Sequence, residues 1–226
     1  IPSITNNNLP LDTIEALAWG SNLDWGFVKH PPASAFFVEL FYFLFGSQDW
    51  AYYLLSQIFV IFSFFLVFQL SEKIFNNKTL SFLSVILLEG IYFYNFTTPE
   101  FNVNVCQLPF WSLTVFYAWK IFDGKKINIY DCFYLAMFAA IGFQSKYLFI
   151  YLLVSIFILF FYQIVILKER KFDFKYLISI EVFFILLVPH LVWLFNHDFI
   201  TLKYAFSRAG LELSLIHISE PTRLYG

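Results

Sequence analysis

The sequence predicts an all-α multi-pass membrane protein, and three observations carry that reading. Hydrophobic residues make up 60% of the chain and charged residues only 13%, with 33 Phe, whereas a soluble globular domain carries about 25% charged residues. Six apolar runs follow one another, each within the roughly 17 to 25 residues that cross a bilayer as a helix. The Lys and Arg residues between those runs fall mainly on one side of the implied membrane.

In chain order, residues 11–32, LDTIEALAWGSNLDWGFVKHPP, form the one long polar interval of the first half. Asp12 and Glu15 are three positions apart, so on a helix both carboxylates leave the same face. Asp24, Lys29 and His30 follow. Pro31 and Pro32 then force His30 out of helical geometry and open a new helix with prolines in its first turn. Residues 1–32 are expected to be one extracytoplasmic loop with an acidic site. Residues 33–45 are apolar but only 13 long, too short to span, and are expected as an interfacial helix.

Residues 46–212 are expected to hold six spans, over 50–70, 79–96, 103–122, 127–143, 147–167 and 174–195. The chain opens on Ile1 with no signal peptide, which reads as a fragment lacking an upstream membrane segment. At the other end LSLIHISEPTR, residues 213–223, looks like the translation of a transposase-type sequencing adapter. Residues 213–226 are therefore set aside as library-derived.

Orientation follows from the loops. With the opening stretch outside, nine cations (Lys73, Lys78, Lys120, Lys125, Lys126, Lys168, Arg170, Lys171 and Lys175) face the cytoplasm. Four, Lys29, Lys146, Lys203 and Arg208, lie outside, the asymmetry of the positive-inside rule. Asp12, Glu15, His30, Glu100 and Lys146 then share the outer side, where they can converge on one cavity. Cys106 and Cys132 fall near opposite faces, which argues against a disulfide. The net charge of -2 says nothing about nucleic acid, and no basic run or aromatic-interleaved basic patch suggests such a partner, so none is expected.

Phosphate-cradling loops, nucleotide-binding glycine motifs, a nucleophile elbow, HExxH and paired CxxC are all missing. D-x-D is missing too, so an enzyme here needs an activated donor already resident in the membrane. The spacing of His30, His190, His197 and Asp198 fixes no metal site.

Four segments in order, the 11–32 stretch, LPFW at 108–111, GFQSKY at 142–147 and PHLVWLFNHDFITLKY at 189–204, together resemble the family 39-type membrane glycosyltransferases. That group includes protein O-mannosyltransferases and bacterial aminoarabinose transferases. The resemblance implies a GT-C-type helical bundle, here partial, with a catalytic first extracytoplasmic loop. It also implies a polyprenyl-phosphate-sugar as donor substrate, inversion at the anomeric carbon, and the bilayer and a lipid, glycan or protein acceptor as partners. The cell (inner) membrane is the expected location, with the active site extracytoplasmic and the fragment itself inactive.

On the same resemblance Asp12, with Glu15 beside it, is the catalytic acid of the first loop. Better-known members often have adjacent Asp-Glu there, whereas Thr13 and Ile14 separate the two acids here, so which one is the base stays open. Lys146, at the outer end of two apolar segments, is the candidate for the donor phosphate, because an ammonium there needs a partner or must snorkel. Lys29, His30, Glu100 and Tyr147 are expected to line the substrate cavity. The competing readings are a solvated loop with a helix-start acid at Asp12, a capping corner at His30, and a headgroup-reaching lysine at Lys146. At the level of function the alternative is a transporter or flippase for a lipid-linked or anionic solute, although no inverted repeat with broken helices is visible.

Overall fold

The computed structural model describes residues 8–208 apart from Thr97 and Lys125, with Phe93 described by its backbone alone. Residues 1–7 of the first loop and the adapter-like 213–226 lie outside the described residues. Every described element is helical.

Helix α1 (Leu11–Gly20) starts after Pro10 and carries Asp12 in its first turn, where a carboxylate complements the helix dipole. The Pro31–Pro32 corner leads into α2 (Ala33–Phe45), which stops at Gly46; the φ of 68° there is one that glycine adopts without steric cost. Helix α3 (Asp49–Phe75) ends on Asn76 in the left-handed region, φ 48°.

Three later helices begin the same way. Asn77, Asn102 and Asn128 cap α4 (Lys78–Glu89), α5 (Val103–Asp123) and α6 (Ile129–Ser145), each side-chain oxygen accepting backbone N–H groups of the first turn. A 3-10 turn at Tyr147–Phe149, helix α7 (Ile150–Phe161) and a π-turn at Tyr162–Ile166 then make one apolar rod. Helices α8 (Lys175–Asn196) and α9 (Ile200–Arg208) follow.

Helical structure occupies each of the six apolar runs, but not evenly. By length and composition three segments are long and apolar enough to cross a membrane: Asp49–Phe75, Tyr147–Ile166 and Lys175–Asn196. The run over 79–96 does not form one helix. Its helix α4 has 12 residues and stops at Gly90, and the apolar Tyr92–Tyr94 that follow make a separate 3-10 turn. At 1.5 Å per residue α4 reaches only about 18 Å, short of a core about 30 Å thick.

Helix α5 is the centre of the packing, set against α6 on one side and α3 on another, and α6 in turn packs on α8. Aromatic edges fill the α2–α3–α5 interface, with the Phe37 ring 4.9 Å from Phe59 and 5.8 Å from Phe110. At Gly142 on α6 a β-carbon would come within 2.3 Å of the Phe149 ring, so the turn from α6 into α7 depends on glycine.

This alternation of helices separates two ends. One gathers the starts of α3 and α5, the end of α6 and the end of α8, with the first loop lying over them. The other gathers the end of α5, the start of α6 and the start of α8, held by Arg170, whose guanidinium donates to the carbonyls of Ile121 (2.9 Å), Phe122 and Gly124 (3.2 Å). The 21 residues of α5 set the ends about 31 Å apart.

Candidate active site at one end of the bundle

The first loop is tied to the bundle by four hydrogen bonds. The Asp12 backbone N–H donates to Glu100 Oε1 at 3.0 Å, and the buried Thr13 hydroxyl donates to the Phe101 carbonyl at 3.1 Å. Further along, His190 Nδ1 lies 2.5 Å from the Trp25 carbonyl oxygen, and the Thr201 hydroxyl donates to the Phe27 carbonyl at 2.6 Å. Helix α1 is therefore anchored at its first turn by the segment that precedes α5, and residues 25–27 are strapped down by α8 and α9.

Asp12, Glu15, Trp19, His30, Ser34 and Asn102 line one cleft together with Ala16 and Val103. Three positions apart on one helix, Asp12 and Glu15 open onto the same small space. Their surroundings differ. Glu15 is engaged by the Lys29 ammonium at 2.5 Å, a pair that is partly exposed. The Asp12 carboxylate makes no ion pair among the described residues.

Lys146 stands at the junction of α6 and α7, with Nζ 2.5 Å from Asn104 Oδ1 in the first turn of α5. Burial pushes its pKa down, and the negative charge of Asp12 partly offsets this. Lys146 is also the second cause, after burial, of the lowered pKa of His30, whose ring sits edge-on to Trp19 at 5.9 Å. The lysine, the first-loop acid and the histidine therefore feel one another's charge. Glu100 is held above the usual carboxylate range by burial first and by Asp12 second.

Tyr147 is half-buried and turns away from this group, its hydroxyl 2.8 Å from His190 Nε2. It holds α8 rather than lining the acidic cleft. Lys29 reaches the site through Glu15 and its pKa is raised by that contact. Trp193 is 8% exposed and stacked 4.1 Å from the His197 ring.

Three participants escape a reading of the sequence. Ser34 lies in the cleft with its hydroxyl buried and without a hydrogen-bond partner among the described residues. Asn102 and Asn104 look like ordinary loop residues, yet one lines the cleft while capping α5 and the other receives Lys146. The Asn at a helix start was the available signal; its dual use was not. In this state the cleft measures about 10 Å³, room for about one water. A sugar would enter only if the cleft widens.

No group of three or more His, Cys, Asp or Glu suited to a metal occurs among the described residues. Acids and an ammonium gathered at one end of a helical membrane bundle can hold an anionic substrate and take up a proton, the equipment of a membrane-embedded transferase. Residues 29–193 match the model of the dolichyl-phosphate-mannose-protein mannosyltransferase family, and the chain belongs to that family. It is accordingly a membrane glycosyltransferase. The match includes Lys29, His30, Glu100, Lys146 and Tyr147 and begins after Asp12 and Glu15, so those two acids rest on geometry alone. No curated protein and no solved structure matched the chain.

Proposed function

We propose that the protein transfers a sugar from a polyprenyl-phosphate-linked donor to the hydroxyl of a lipid, glycan or protein acceptor, with inversion, on the extracytoplasmic side of the cell membrane. The observation that carries this reading is the placement of a first-loop carboxylate, Asp12, in a cleft bounded by the start of α5, where the Lys146 ammonium from the α6–α7 junction also binds, on Asn104 Oδ1.

In this mechanism the Asp12 carboxylate takes the proton of the acceptor hydroxyl as that oxygen bonds to C1 of the sugar. The C1–O bond to phosphate breaks, and the polyprenyl phosphate leaves with the electron pair. Lys146 receives the charge released. Phosphate is a good enough leaving group that no general acid is needed. Glu15, already neutralised by Lys29, is the weaker candidate for base, which supports Asp12. Glu100 positions Asp12 through its backbone N–H. His30 and Ser34 offer further hydrogen-bonding groups to the sugar or acceptor.

The test is transfer of radiolabelled mannose from polyprenyl-phosphate mannose by the full-length protein in liposomes carrying a hydroxyl acceptor. Asp12→Asn should abolish transfer while leaving membrane insertion intact. Retained turnover in that variant would rule out Asp12 as the base.

A further inference from the structure

The end of the bundle opposite Asp12 has a feature that the transferase reading does not use. Helix α7 stands off from α6 and α8 and leaves an apolar groove of about 500 Å³, with walls that include Leu135, Ala139, Leu153, Phe157, Ile180 and Phe184. Phe172 and Tyr176 close its far end, and the same two residues line a second cavity of about 540 Å³. The two spaces are therefore adjacent, one apolar and along the helices, the other polar and at their ends.

The polar cavity is cationic, with Lys126, Arg170, Lys171 and Lys175 in its wall against Glu169 and Asp173. Two of the four cations have structural work. Arg170 holds the carbonyl end of α5, and Lys175 donates to the Ile127 carbonyl at 3.0 Å and lies 3.7 Å from Asp173. Lys126 and Lys171 engage no carboxylate among the described residues, so positive charge is left over where the apolar groove ends. A molecule that satisfies both halves has hydrocarbon chains and an anionic head. A neutral or zwitterionic lipid would leave the two lysines uncompensated, and a further apolar helix would fill the groove but not the cavity.

We propose that this groove and cavity bind an anionic phospholipid, its acyl chains lying between α7 and the α6–α8 pair and its phosphate at Lys126 and Lys171. Attraction of Lys to anionic headgroups at a membrane surface is strong enough for two such residues to set a preference on the order of ten-fold. The site lies a full helix length from Asp12 and is independent of the sugar-transfer reading.

Native mass spectrometry of the full-length protein, titrated in detergent with phosphatidylglycerol or phosphatidylcholine, tests it. Phosphatidylglycerol should be retained about ten-fold more tightly. The exposed-surface double variant Lys126→Gln/Lys171→Gln should lose that preference, Lys126→Arg/Lys171→Arg should keep it, and Asp12→Asn should bind as the parent does. Equal retention of the two lipids, or an unchanged preference in the Gln pair, would overturn the proposal. So would displacement of phosphatidylglycerol by an equal concentration of polyprenyl phosphate, which would reassign the site to the donor's carrier. A photo-crosslinking amino acid at Phe157 should yield lipid adducts in phosphatidylglycerol vesicles. Adducts with another part of the chain, or with a second copy, would show the groove covered by protein and defeat the assignment.

Discussion

His190 Nδ1 lies 2.5 Å from the carbonyl oxygen of Trp25, a residue 165 positions earlier, while its Nε2 lies 2.8 Å from the Tyr147 hydroxyl. A carbonyl can only accept, so Nδ1 carries the ring proton, and in the neutral ring Nε2 accepts from the tyrosine. This fully buried imidazole therefore joins the first loop, α8 and the α6–α7 junction. Replacing it with Ala would remove both hydrogen bonds and leave a void where the buried ring sits. His190→Ala should lower stability by about 2–4 kcal/mol in thermal or denaturant unfolding in detergent. A melting curve superimposable on that of the parent would show that the clamp contributes nothing.

Gly26 sits directly beneath the Trp193 ring, and a β-carbon there would lie 2.3 Å from the indole. Gly26→Ala should cost roughly 1–3 kcal/mol through overpacking. Because the clash is with one side chain, combining it with Trp193→Ala should cost less than the sum of the two single changes. Strict additivity in that double-mutant cycle would mean the strain lies elsewhere.

The Glu15–Lys29 pair is short but partly exposed, with side chains 27% and 42% accessible. Water and salt screen such a pair, so its loss should scarcely move the melting temperature. Lys29→Gln should instead act on transfer, by freeing the Glu15 carboxylate to compete with Asp12. A stability loss without any change in transfer would make the pair purely structural.

His30 titrates below its usual value near 6.5, because of burial first and the Lys146 charge second, with Glu15 and Asp12 opposing and Lys29 adding slightly. Its stabilising contribution is therefore complete above about pH 6.5 and is lost as the pH falls toward the lower folded value, where the buried ring must charge. His30→Gln should flatten the decline in melting temperature below pH 6.5. Glu100, raised above its usual range, contributes in the opposite sense, losing stability as the pH rises through its folded value. An acid-side decline unchanged in His30→Gln would remove the histidine from the account.

Much of the fold could be read from residue order. The apolar runs marked the helices, the Pro31–Pro32 pair marked the corner before α2, and the i, i+3 acids placed Asp12 and Glu15 on one cleft. What could not be read depended on contacts distant in sequence. The run through residues 79–96 keeps its hydropathy past Gly90, so only the Glu89–Gly90 pair, and not the apolar pattern, marks where the helix ends. The choice between Asp12 and Glu15 turns on where the Lys29 ammonium points, and Tyr147 was assigned to the cavity because only the coordinates reveal its partner, His190. The buried seat of Trp193 likewise depends on the bare backbone of Gly26, 167 positions earlier.

The proposed mechanism divides two jobs between Asp12 and Lys146, proton removal and phosphate binding. Steady-state transfer and donor affinity, measured on the full-length protein with Asp12→Asn and Lys146→Met, test that division most directly. Asp12→Asn should lower kcat on the order of 10² to 10⁴-fold with donor Kd unchanged, the range general-base removal gives. Lys146→Met should weaken donor binding at least ten-fold as well as slow transfer. Two variants that both bind donor normally and both turn over at the parent rate would contradict the account.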